Sequence, residues 1–242
     1  MLLYVNGCSH SVGHSIVNTR CGMAKDDHKY WYLGEAPHPD NFPYSYGYLL
    51  AKKHNLSLVA QGISGGSVDR VIRTTKQFLG QYVGDICLLI GWPGFDREEW
   101  AYEGAYHQIN ASGTDNLPEG LKQRYKEWVA NMSIDRDTHR YWIKPVTQSH
   151  EKIKQFHFYL KERNIKHLFF NTAGDFDMIL PENRVDFGNN YILPYQLHHE
   201  YLGIVQNKGF KPRDDWYHFG ADAHQFWADY LEPHLLKVLD GS

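Results

Sequence analysis

Four short apolar runs restrict what this chain can fold into. They are residues 2–5, 56–60, 85–90 and 166–170, and each stops at glycine or a polar residue. Between them lie stretches with helical spacing. Tyr48, Leu49 and Leu50 mark one, over 46–54. Val68, Val71, Ile72 and Phe78 mark a second over 68–79, with Ser67 placed to cap it, and Ile153, Phe156 and Leu160 a third over 149–164. A last helix is expected from about 220 to 239. Short buried strands alternating with helices require a parallel sheet, because parallel strands need a crossover connection.

Residues 95–146 break this rhythm. They are aromatic, charged and weakly periodic, with one helix expected around 121–132. This stretch reads as an insertion over one end of the sheet, either bracing an edge or forming a substrate-binding lid. There is no repeat and no second domain boundary, so 1–242 reads as one α/β domain. Its 242 residues are enough to bury a sizeable core.

Composition narrows the function. Hydrophobic residues make up 42% and charged residues 22%, as in globular proteins. A net charge of -3 and the lack of a basic run argue against a nucleic-acid partner. No segment has membrane-span length, so no membrane partner is expected. The apolar opening is too short for a signal peptide, and Cys8, Cys21 and Cys87 cannot all pair within the chain. These features point to a reduced, cytoplasmic setting. The Asn-x-Ser sequences at Asn55, Asn110 and Asn131 are then not glycan sites.

In parallel sheets, ligands bind beyond the carboxyl ends of the strands. Three segments fall there: Asn6-Gly7-Cys8-Ser9-His10, the turn Gly62-Ile63-Ser64-Gly65-Gly66, and the stretch from Gly91-Trp92-Pro93 to Arg97. Asp214-Asp215-Trp216-Tyr217-His218 precedes the last helix and can fold back to the same edge. A serine hydroxyl is a poor nucleophile without a base in hydrogen-bond reach. His218 is the candidate base, and Asp215, three residues earlier, the candidate to orient it. The Ser9 and Gly65 backbone N–H groups are the candidate oxyanion donors.

This order of blocks resembles the SGNH (GDSL-type) hydrolases. The resemblance implies a three-layer, flavodoxin-like α/β/α fold with a central parallel sheet of four to five strands. It also implies ester hydrolysis or acyl transfer with Ser9 as nucleophile, His218 as base, Asp215 as orienter, and no metal or cofactor. Gly7-Cys8-Ser9, Gly65-Gly66-Ser67 and Trp92 with Arg97-Glu98 are more narrowly similar to SGNH-like proteins of bacteriophages and marine bacteria, which would place the chain in a host cytoplasm. Cys8 stands where the family has Asp. Pro93 stands where it has Asn, and proline supplies neither a side-chain donor nor an N–H. Asn6, His10, Trp92 and Arg97 are the candidates to replace that donor or to touch substrate.

The expected partner is a small-molecule or carbohydrate ester, with acylated carbohydrate suggested by the family; the residues say nothing of oligomeric state. Two other readings stand beside it. His10 and His14, on one helical face, could join Asp215 and His218 around a divalent metal. An SGNH-like scaffold without catalysis, reused for binding, would also explain the missing Asn. His198-His199-Glu200 reads as a loop or helix-end feature.

Overall fold

In a computed structural model the chain is described over residues 1–19, 37–111, 117–136, 143–215 and 217–241. The four apolar runs become β1 (Leu2–Asn6), β2 (Ser57–Ala60), β3 (Ile86–Trp92) and, further on, β6 (Lys166–Asn171). They form a parallel sheet in the order β2-β1-β3-β6. All five residues of β1 are buried. Such a strand, covered on both faces, reads as a continuous apolar run rather than an alternating one.

Helices cover both faces. On one side lie α1 (Tyr46–Lys53), α5 (Tyr201–Asn207) and α6 (Ala221–Asp240), over a core that includes Leu3, Leu89, Phe170, Tyr201 and Trp227. On the other lie α2 (Val68–Leu79) and α4 (Ile143–Glu162), over Tyr4, Leu88, Ile90, Trp92 and Phe169. Each such side chain contributes on the order of 1.5–3 kcal/mol by leaving water. Ser67 caps α2 as its position suggests, its hydroxyl accepting from Arg70 N–H. The α4 helix begins at Ile143, earlier than the expected 149.

The stretch after β3 forms an antiparallel hairpin, β4 (Arg97–Tyr102) with β5 (Ala105–Asn110), followed by α3 (Glu119–Arg136). The hairpin is not visible in hydrophobic alternation because charge and rings hold it. Trp100, Ile109 and Leu121 form its own small core. Glu98 accepts from the indole N–H of both Trp100 and Trp128. Among the described residues, no helix is long and apolar enough to cross a membrane. Cys8 and Cys87 are free and buried, and Cys21 lies outside the described residues.

The sheet order has one functional consequence. Connections from β1 and β3 leave in opposite directions, which opens a crevice at their carboxyl ends. Ser9 is three residues past the end of β1.

Candidate active site

The loop after β1 is bent by Gly7, whose φ of +151° disfavours other residues. Space excludes them too: a Cβ there would sit 2.2 Å from Ser11 Oγ and 2.5 Å from the Gly91 carbonyl oxygen. The following residues form a run of turns rather than the expected helix start. Within it Ser9 is 6% exposed and His10 7%.

The segment before α6 is a closed loop. A bridge pairs Pro212 with Phe219, Arg213 N–H donates to the His218 carbonyl, and buried Phe219 anchors the loop in the core. This brings His218 to Ser9 across 209 positions of sequence, with Nε2 2.9 Å from Ser9 Oγ. On its other side His218 Nδ1 lies 2.7 Å from Asp214 Oδ2. A carboxylate only accepts, so Nδ1 carries the proton. In the neutral ring Nε2 is then the acceptor for the Ser9 hydroxyl.

The carboxylate that meets the His218 ring is therefore Asp214 and not the expected Asp215, which is exposed. The reason is local. Tyr217 has a left-handed φ of 61°, and its N–H closes a turn on the Asp214 carbonyl. The Asp214 side chain also accepts the His218 backbone N–H at 3.1 Å, so one carboxylate fixes both the turn and the ring. Burial raises the Asp214 pKa, but the His218 hydrogen bond and charge, with the Ser15 hydroxyl, more than offset it. The carboxyl is held well below the usual carboxylate range. That Asp side chains bond nearby backbone was legible, and it holds equally for Asp214 and Asp215. The left-handed residue between was not.

Neutral histidines surround His218. His10 and His14 place their rings 4.9 and 4.7 Å from that of His218. Burial drives His10 well below its ordinary value, helped by the charges of His218, His224 and Arg97. Burial, and then the charge of His218, takes His14 down to about 3, and does the same for His224.

The candidates for the missing donor now separate. Asn6 is used up in the core. Its amide N–H₂ faces Tyr4 Oη, the Val71 carbonyl, and the Thr74 and Thr75 hydroxyls, while its Oδ1 takes the Gly7 N–H at 2.8 Å. Trp92 is fully buried, edge-on to Phe156 and Phe169, and belongs to the core. His10 and Arg97 remain near the edge, with His10 Nδ1 and Arg97 Nε buried and without a hydrogen-bond partner. The turn that carries Gly65 packs on the loop that carries Ser9: a Cβ on Gly66 would lie 3.0 Å from the Gly7 carbonyl oxygen, and one on Gly62 3.2 Å from that of Cys8. Gly65 has a φ of +71° and open space where its Cβ would be, so conformation rather than room calls for glycine.

Of the four residues of the metal reading, His10, His14 and His218 do meet, but Asp215 does not join them. Asp215 is exposed, and both ring nitrogens of His218 already face Asp214 and Ser9. Among the described residues, no three His, Cys, Asp or Glu side chains are grouped to hold a metal ion. Tyr217 is 52% exposed, and Trp216 lies outside the described residues. His198 has a left-handed φ of 60°, and its N–H donates to Asp175 in a loop.

No protein-family model and no curated protein matches the chain. Solved structures do. A carbohydrate esterase family 2 enzyme plus carbohydrate-binding domain from Corynascus thermopiles (Myceliophthora fergusii) aligns at 12% identity with a TM-score of 0.51, over 99% of this chain and 66% of that one. At that identity the likeness is one of fold. A psychrotrophic esterase from Pseudoalteromonas sp. aligns at 11% identity and a TM-score of 0.48, over 99% and 98% of the two chains. A member of the lipolytic protein G-D-S-L family from Veillonella parvula aligns at 10% identity and a TM-score of 0.46, over 96% and 97%.

Proposed function

We propose that this chain is a serine ester hydrolase, one SGNH-type domain with an insertion after β3, working through Ser9, His218 and Asp214. The observation that carries the reading is the 2.9 Å approach of His218 Nε2 to Ser9 Oγ, with Nδ1 held by Asp214. Ser9 Oγ attacks the ester carbonyl carbon as its proton passes to His218 Nε2. The carbonyl oxygen becomes an oxyanion, received by the backbone N–H groups of Ser9 and Gly65. The intermediate collapses, and the leaving alkoxide takes the proton from His218. Water then attacks the acyl-serine as its proton passes to His218; the acyl–Oγ bond breaks, Ser9 Oγ takes that proton back, and the acid is released. Asp214 stays ionised throughout and stabilises the imidazolium.

An acylated carbohydrate is the proposed substrate class. It is supported by the family resemblance and by the carbohydrate esterase among the proteins of similar fold. The test is a fluorophosphonate probe on the purified full chain. The expected result is stoichiometric labelling that disappears in Ser9→Ala. Absence of labelling in well-folded protein would overturn the proposal and favour a binding scaffold.

A further inference from the structure

The geometry points to Gln108, on the inserted hairpin, as a positioning residue for the turn that carries Gly65. This inference rests on the serine hydrolase reading and extends it outside the crevice. Gln108 Oε1 lies 3.3 Å from the Ser67 N–H and 3.3 Å from the Ser67 hydroxyl, and accepts from both. Ser67 is the next residue but one after Gly65, and Gly66 between them is closed on the Ile63 carbonyl at 3.2 Å. Holding Ser67 therefore holds the turn at its exit.

Gln108 is itself fixed from behind. Its amide N–H₂ donates to Glu99 Oε1 at 2.6 Å. Glu99 is 3% exposed and takes both arms of the Arg73 guanidinium at 2.7 Å. Arg73 stands on α2, with its guanidinium 3.9 Å from the centre of the Tyr106 ring. Because Glu99 only accepts, the Gln108 N–H₂ must face it, which leaves Oε1 toward Ser67. The amide orientation is thus set by chemistry.

The arrangement is a closed circuit: α2 through Arg73, to β4 through Glu99, to β5 through Gln108, and back to the cap of α2 through Ser67. An oxyanion donor is useful only when it is placed before charge develops, so a rigid turn matters more here than an extra contact. With Pro93 removing one donor, the remaining backbone donors carry a larger share. The hairpin supplies the rigidity from outside the crevice.

The experiment compares wild type, Gln108→Leu, Gln108→Glu and Trp128→Phe in the full chain. Trp128→Phe removes an indole bond to Glu98 in the same insertion and serves as the control for general loosening. Two quantities are read: the rate constant of Ser9 phosphonylation by a fluorophosphonate, and amide hydrogen exchange over residues 62–69. For Gln108→Leu the expected result is about tenfold slower phosphonylation, short of the roughly 100- to 1000-fold seen when an oxyanion donor is lost outright, with faster exchange over 62–69. Gln108→Glu keeps the acceptor but meets Glu99 as a like charge, so it is expected to slow phosphonylation as Gln108→Leu does. Trp128→Phe is expected to leave both readouts unchanged. Phosphonylation and exchange untouched by Gln108→Leu, or slowed equally by Trp128→Phe, would overturn the inference alone. Absence of Ser9-dependent labelling in wild type would overturn the hydrolase reading and this inference with it.

Discussion

The carboxyl edge of the sheet and the hairpin after β3 both bury charge, and they differ in what the charge holds. At the sheet edge a half-buried carboxylate, Asp214, fixes one imidazole whose far nitrogen meets a hydroxyl. In the hairpin a buried carboxylate, Glu99, is closed on a guanidinium and an amide, and Glu98 on two indoles. The first chain of bonds ends on a group that can react, whereas the second ends on backbone and ring. On the serine hydrolase reading, removing a link should therefore abolish chemistry in the first region; in the second it should lower stability, and slow chemistry only through the turn that Gln108 holds.

The largest expected effect separates two adjacent aspartates. In Asp214→Asn, the new amide can donate to His218 Nδ1 and drive the ring proton to Nε2, where it no longer accepts from Ser9. Turnover of an aryl acetate should fall by roughly 10³–10⁴-fold. Asp215→Asn, on an exposed side chain, should stay within about twofold. Equal losses in the two variants would break the geometric assignment.

The hairpin should respond in stability. Arg73→Met strands the Glu99 carboxylate with only Gln108; because Arg73 is 25% exposed, the cost should fall below the roughly 3 kcal/mol of breaking a fully buried pair. The expected readout is a lower thermal midpoint, with deprotected amides over β4 and β5 appearing first. A midpoint unchanged from wild type would show that the pair is not what anchors the hairpin to α2.

The same contrast explains what could be read from sequence. The sheet was legible because Leu2–Asn6 and Ile86–Trp92 are buried on both faces and so appear as unbroken apolar runs. Ser9 and His218 were legible because strand order sends both segments to one edge. Asp214 was misplaced by one residue because the choice depends on the left-handed Tyr217, an angle uncommon for a bulky residue and so not to be expected from its type. Asn6 and Trp92 looked available at the crevice because sequence position gives the strand end but not the face. The hairpin was missed for a further reason. Its register aligns Glu99 with Gln108 and Trp100 with His107, so polar groups fill positions where alternation would demand apolar ones.

A smaller effect per residue, and one that reaches beyond the site, concerns pH. Burial takes His14 and His224 from 6.5 to about 3, and His157 and His167 to about 4. The last two share a hydrogen bond of 2.8 Å. His167 Nδ1 faces the Ile165 carbonyl and so carries its proton, leaving Nε2 to accept from His157. A proton on that Nε2 would break the bond. All four histidines bind a proton more readily once the chain unfolds. Their contribution to stability is intact above about 6.5 and erodes as pH falls toward 4 and below. From 6.5 to 5 the loss is as much as about 2 kcal/mol for each histidine acting alone, and less for the bonded pair. Urea midpoints at pH 7, 6 and 5 should therefore fall in step, with the steepest change below 6.5. His157→Phe combined with His167→Leu removes the pair at the far end of β6 from Ser9, and should flatten part of that slope without altering phosphonylation at pH 7. A midpoint that rises with acid would mean that these rings are charged in the folded chain. The neutral surroundings of His218 would then have to be reconsidered, because His14 and His224 owe their low values to the same burial.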